Sequence, residues 1–299
     1  ASNLHAYFKD GRGPALIHAW TPREIVRKFC AKVSVDYDTK VVVHLEDNER
    51  EIAESRLERP YHELAALSLE ELDRVMPEAI THPQRGERFL ESAVGTTVIV
   101  ENLREHVPAA KSCHLIWPAA DGQHFKYHPR NNDLRESLGI PDETVVLFYH
   151  GNVHTSNNGE VIELYRAVEM LNQQELPTIL IRTGRDFPDF LPDGDDWIRP
   201  YLVHLGHIGR ARNLPPLMAM ADYFVQPGLP GDFNDYRFPS KLPEFFAIGR
   251  PVILPQSNLG NILNHGNDAW ILPRADAESI CHSITELYHD PKLVRKLTD

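Results

Sequence analysis

The stretch "RFPSKLPEFFAIGRPVILP", residues 237–255, decides the fold. A Ser-Lys pair leads into a short apolar segment that carries one Glu, then Gly-Arg-Pro, then an apolar strand. Ser240 stands where an N-cap belongs, and Pro243 is tolerated in a first helical turn, so residues 241–248 read as a helix. A helix start presents unpaired N–H groups and a partial positive charge, worth about 0.3–1 kcal/mol to a nearby anion. Lys241 and Arg237 add full charges at the same point, which suits a phosphate or diphosphate. The alternative is a capped surface helix with a solvated Lys. Glu244, one turn further on, is able to accept two hydroxyl hydrogen bonds, as from a ribose diol. Its alternative is a surface Glu that favours the helix start.

Outward from this unit, strands and helices alternate nearly throughout. "ALIHAW" (15–20) reads as a buried strand, and "TPRE" after it reads as a capping box with Thr21 as cap, Pro22 at the first helical position and Glu24 three residues on. "TKVVVHLE" (39–46), "GTTVIVEN" (95–102) and "SCHLIWP" (112–118) read as strands. Residues 48–94 between them read mostly as helix, with a second capping box at Ser68 and Glu71. The polar, irregular stretch 121–143 reads as the crossing between domains. After it come "TVVLFYHG", a helix through "NNGEVIELYRAVEML", "PTILIRTG", "YLVHLGHI" (201–208), "LPPLMAMA" and "DYFVQPG". In the late helix "DAESICHSITELYHD", Ile280, Ile284, Leu287 and Tyr288 recur at helical spacing. Such alternation predicts an α/β fold of parallel sheets with helices on both faces. Two Rossmann-like domains are expected, residues 1–125 and 126–299, facing across a cleft, with ligands at the carboxyl ends of the strands.

The length of 299 residues fits two ordinary domains, and 42% hydrophobic with 25% charged residues is a globular composition. A formal net charge of −12 argues against a nucleic-acid partner while leaving room for a local basic pocket. Three scattered cysteines, Cys30, Cys113 and Cys281, read as reduced thiols of a cytoplasmic protein. No apolar run approaches a membrane span and no signal peptide opens the chain, although peripheral contact at the inner membrane face stays compatible. "DGDD" (193–196) contains Asp-x-Asp but follows a Pro-rich loop, so it reads as a solvated acidic turn. His204 and His207, three apart on an expected strand, would face opposite sides and make no zinc site.

"RFPSKLPEFFAIGRPVILPQSNLG", preceded by "HLGHI" and "LPPLMAMADYFVQPG", resembles the donor-nucleotide domain of the retaining glycosyltransferases with the GT-B fold, group 1. The resemblance covers most of residues 144–290 and rests on the group of motifs together. It implies that the loop and helix at Ser240, Lys241 and Leu242 hold the sugar and diphosphate, and that Glu244 takes the ribose. The family frames this loop with two Glu residues separated by seven. The first position here is Tyr236, and Asp235 is the neighbouring substitute. The turn at Gly151 and Asn152 stands where the family's Gly-rich loop meets the diphosphate, without its usual Arg and Lys. Arg182, before Gly184, is the compensating cation, and His207 and Ile208 of "LGHI" would flank the base. His44, at the end of "VVVHLEDNE", corresponds to the histidine that faces the donor sugar. "KDGRGP" (9–14) is a poor match to the family's opening Gly-rich turn, so the first domain is expected to be incomplete.

The function so implied is transfer of a sugar, with retention, from a nucleotide-diphosphate sugar to a carbohydrate, lipid or small-molecule acceptor. It needs no cofactor, covalent nucleophile or obligatory metal. The rivals are a GT-B-like nucleotide-sugar epimerase and a non-catalytic nucleotide-sugar-binding or assembly protein.

Overall fold

The computed structural model describes residues 4–8, 10–186, 190–191, 194–209 and 211–298. Lys9 of the opening turn and Asp193 of the acidic turn lie outside the described residues. The chain divides into two compact units, Ala1–Pro118 with Asp235–Phe238, and Ala119–Asn234 with Pro239–Asp299. Among the described residues no helix is long and apolar enough to cross a membrane.

The first unit holds a parallel four-stranded sheet in the order β1 (Leu16–Trp20), β2 (Lys40–Leu45), β3 (Gly95–Val98), β4 (Cys113–Leu115). Its helices are α1 (Glu24–Tyr37), α2 (Glu49–Leu57), α3 (Tyr61–Ala66), α4 (Leu69–Val75) and α5 (Pro83–Ser92). Three sequence expectations need correction here. β1 is a sheet edge rather than a buried strand, and Leu16 and Trp20 are about half exposed because β1 pairs on one side only. The capping box at Thr21 does not form: Arg23 occupies the cap position and its side chain does not cap the helix, donating instead to Glu49 and Asp47. The loop before α5 replaces it, with the Glu24 and Ile25 N–H groups donating to the carbonyls of Ile80 (3.1 Å) and Glu78 (2.9 Å). Glu24 turns instead to Arg27, at 2.7 Å. β3 also stops at Val98, and a 3-10 turn takes over at Glu101–His106. The Ser68–Glu71 capping box forms as expected at α4.

The second unit runs α6 (Asn132–Ser137), β5 (Val145–His150), α7 (Asn158–Gln173), β6 (Thr178–Thr183), β7 (Leu202–His204), α8 (Leu214–Met218) and β8 (Tyr223–Val225). Then follow α9 (Asp232–Asp235), whose last residue groups with the first unit, α10 (Leu242–Ile248), β9 (Val252–Pro255), β10 (Trp270–Leu272), α11 (Ala277–His289) and α12 (Pro291–Thr298). The sheet is parallel in the order β7-β6-β5-β8-β9-β10, so the winding reverses between β5 and β8. In α7, Val161, Leu164, Tyr165, Val168 and Leu171 form one buried stripe at helical spacing. Ile280, Ile284 and Leu287 do the same in α11, and both stripes join the core around Leu147 and Leu180. Each buried aliphatic side chain contributes roughly 1.5–3 kcal/mol by leaving water. The expected strand at 201–208 shrinks to Leu202–His204, and the polar crossing contains α6.

A buried ion pair fixes α6. Arg135 is fully buried, and its guanidinium lies 2.5 Å from Asp222 Oδ2 and donates from Nε to the Met220 carbonyl at 2.8 Å. The same carboxylate oxygen accepts the Val146 N–H at 2.8 Å. One acidic residue therefore joins α6 to the starts of β5 and β8. Replacing Asp222 with Asn leaves a buried cation uncompensated and should cost roughly 3 kcal/mol. A urea titration followed by tryptophan fluorescence checks this, as an earlier unfolding transition.

Candidate functional site

In an open parallel sheet the strand ends on either side of the winding reversal make a natural ligand crevice. Here those ends carry Tyr149 and His150, the last residues of β5, with Gly151 after them, and Gln226 after β8. α10 delivers Lys241 and Glu244 to the same place. Lys241 Nζ donates to Gln226 Oε1 at 3.1 Å and to the Tyr149 hydroxyl at 3.3 Å, and it lies 4.5 Å from the centroid of the Tyr149 ring. Both hydrogen-bond partners are neutral, and among the described residues no carboxylate pairs with this ammonium. Its charge thus stays available to an anion.

Two glycines make the crowding feasible. Gly151 has a φ of +126°, and a Cβ there would stand 3.2 Å from Lys241 Cε. Gly184, at φ +115°, packs so tightly that a Cβ would come within 2.2 Å of the Gly151 carbonyl oxygen. The ends of β5 and β6 are thereby pressed together beside the lysine.

Glu244 is held by a residue that sequence reasoning passed over. Its Oε2 lies 2.7 Å from Nε2 of the half-buried His150, and neither atom has another partner. The His150 ring also sits edge-on to Phe245, 5.4 Å between centroids. Burial lowers the His150 pKa, Glu244 raises it and Lys241 lowers it again, with a net shift downward. Tyr149, His150 and Gln226 carry one shared signal in the sequence, their position at strand ends just before or after Gly and Pro.

The remaining expected donor residues scatter. Ser240 is exposed and caps nothing; Lys241 itself takes the cap position, since the helix begins at Leu242. Leu242 is fully buried and anchors α10. Asn152 spends its side chain inside the turn, where Oδ1 accepts the Arg185 N–H at 2.8 Å. Arg182 is fully buried, paired with Asp186 at 2.6 Å and bonded to the Tyr165 hydroxyl, so its charge is satisfied inside the domain. Its guanidinium lies 5.9 Å from the centroid of the Tyr149 ring. His207 is exposed and Ile208 half-buried in the irregular chain after β7. Asp235, Tyr236 and Arg237 group with the first unit, where the Tyr236 hydroxyl donates to Glu105 at 2.6 Å and its ring stacks on His106.

His44, in the first unit, is fully buried at the end of β2. Its Nδ1 lies 2.8 Å from the Thr97 hydroxyl, which also contacts His18 Nε2 at 3.0 Å, and Trp20 covers the ring at 4.2 Å between centroids. Nε2 has no partner. Burial, helped by His18, drops its pKa to about 4, so the imidazole is neutral near pH 7.

Residues 144–290 match the family model of glycosyl transferases group 1. No curated protein matches the chain. The solved structure of Anabaena Alr3699/HepE in complex with UDP and glucose is 16% identical, covers 100% of this chain and 75% of its own, and superposes with a TM-score of 0.69. WaaG, a glycosyltransferase involved in lipopolysaccharide biosynthesis, gives 15% identity, 91% and 75% coverage and a TM-score of 0.62. A glycosyltransferase from Rickettsia africae ESF-5 gives 12%, 91%, 73% and 0.59. At these identities the likeness establishes the fold, GT-B.

His44 and His150 both have pKa values below the ordinary imidazole value near 6.5. The unfolded chain therefore takes up these protons first, and stability is full above about pH 6.5 and falls as the pH drops toward 4. His44 alone accounts for roughly 2–3 kcal/mol of that fall. Melting temperature against pH should show the decline, and His44→Gln should flatten it.

Proposed function

Because residues 144–290 match the family model of glycosyl transferases group 1, we propose that the chain transfers a hexose from a nucleotide-diphosphate sugar to an acceptor hydroxyl with retention of configuration. The observation that carries this reading is Lys241, an ammonium held by two neutral partners at the winding reversal of the second unit's sheet. In the transfer, the bond from the anomeric carbon to the diphosphate breaks and one to the acceptor oxygen forms. The acceptor proton leaves with the departing phosphate or to water. Negative charge grows on the diphosphate, and a cation already fixed in place stabilises it without reorganisation.

The roles follow from placement. Lys241 meets the diphosphate, and the backbone at Gly151 and Gly184 gives it close approach. Glu244, steadied by His150, offers its free oxygen to the ribose. Residues 126–299 are the donor half and residues 1–125 the acceptor half. His44, the residue the family resemblance assigns to the donor sugar, is neutral near pH 7, so its part in this reading is a hydrogen bond and not a charged acid. HepE shares the fold and has been solved with UDP and with UDP-glucose, which makes these the first ligands to try.

Lys241→Gln should weaken UDP, GDP and ADP alike by roughly 10- to 100-fold, about 1.4–2.8 kcal/mol, with the unfolding transition unchanged. Glu244→Ala should weaken the nucleotides while leaving inorganic pyrophosphate binding intact. Calorimetric titration reads both, and unchanged nucleotide affinity in the lysine variant overturns the site. Product analysis then separates the chemistry: a donor isomerised without any acceptor points to epimerisation, and binding without turnover points to a sensor.

A further inference from the structure

In the first unit, a depression of about 600 Å³ lies between α1, α5 and the start of β2. Arg27, Lys40, Arg85 and Arg88 line it, with the hydroxyls of Ser34 and Thr39, and no acidic residue does. This is unusual on a chain of net charge −12. A second cavity of the same unit, of about 440 Å³, has the opposite balance, with Asp47, Glu49, Glu87 and Glu105 beside Arg50 and His106.

Two of the four cations are offset. Arg27 pairs with Glu24 at 2.7 Å, and Arg85 pairs with Asp73 at 2.7 Å. Lys40 and Arg88 have no carboxylate partner among the described residues, which leaves the depression with about two uncompensated positive charges. Arg85 and Arg88 are three apart on α5 and share a face, as Arg27 and Ser34 do on α1. The Ser34 Oγ is buried and has no hydrogen-bond partner. Phe89 and the half-exposed Val94 add an apolar border.

We infer that this depression binds a phosphate monoester or diester, its oxygens meeting Lys40, Arg88 and the Ser34 hydroxyl while the ester carbons lie against Phe89 and Val94. A phosphate oxygen would satisfy the orphaned hydroxyl, and guanidinium matches phosphate geometry in a bidentate way. The site is separate from the Lys241 crevice. Lys40 opens its strand, so the depression is at the amino end of the first unit's sheet, whereas Lys241 serves the carboxyl ends of the second. Two sources share this chemistry, a free phosphoester and a lipid headgroup.

The test uses the exposed double variant Lys40→Gln/Arg88→Gln and three probes: glycerol 3-phosphate, vesicles of phosphatidylcholine, and vesicles of equal parts phosphatidylcholine and phosphatidylglycerol. Wild-type chain and Lys241→Gln should both bind glycerol 3-phosphate in calorimetry, and the double variant should lose roughly tenfold or more while keeping its UDP affinity and unfolding transition. Co-sedimentation with the anionic vesicles alone, lost in the double variant, identifies a headgroup as the source. Glycerol 3-phosphate binding without vesicle binding identifies a free ester. No binding of any probe by the wild type, or binding that survives the double variant, overturns the inference. Failure of UDP to bind at Lys241 leaves it intact.

Discussion

Lys241 keeps its charge because Tyr149 and Gln226 accept its hydrogen bonds without neutralising it. A carboxylate in either place would have made a closed ion pair, and any incoming anion would first have had to break it. The cost of holding an ammonium this way falls on its neighbours. Phe245 stacks flat on Phe224, 4.4 Å between centroids, and Leu242 and Ile248 are fully buried, so α10 is pinned against the sheet by its apolar face. The Gly151–Gly184 contact then lets the strand ends close around the polar face. Packing on one side of a short helix thus sets the electrostatics on the other.

Periodicity made the scaffold readable before any coordinates. The buried stripes of α7 and α11 and the strands around them are local patterns, and so is the Ser68–Glu71 capping box. What escaped was decided by distant parts of the chain. The box at Thr21 lost to backbone carbonyls from Glu78 and Ile80, more than fifty residues on. Ser240 lost its cap role because α10 starts one residue later than the polar pattern suggests. Arg182 looked like a free cation at a strand end, but Tyr165 and Asp186 enclose it. His150 went unnoticed since its partner is 94 residues away at Glu244, and nothing nearby in sequence announces the pair.

Composition proved equally blind to arrangement. A net charge of −12 describes the sum, while in the first unit one cavity is lined by four cations and no carboxylate and another by four carboxylates with Arg50 and His106. At physiological salt, screening uncouples such local fields from the total charge beyond about 8 Å.

Asp235–Phe238 group with the first unit although the rest of that unit ends at Pro118. During synthesis, then, Glu105 and His106 emerge long before Tyr236, which bonds the one and stacks on the other. At roughly 5–20 residues per second the intervening chain takes on the order of ten seconds to make. For that interval the nascent first unit has its sheet but lacks a ring that belongs to its finished surface, and it reaches its mature form only after most of the second unit has left the ribosome.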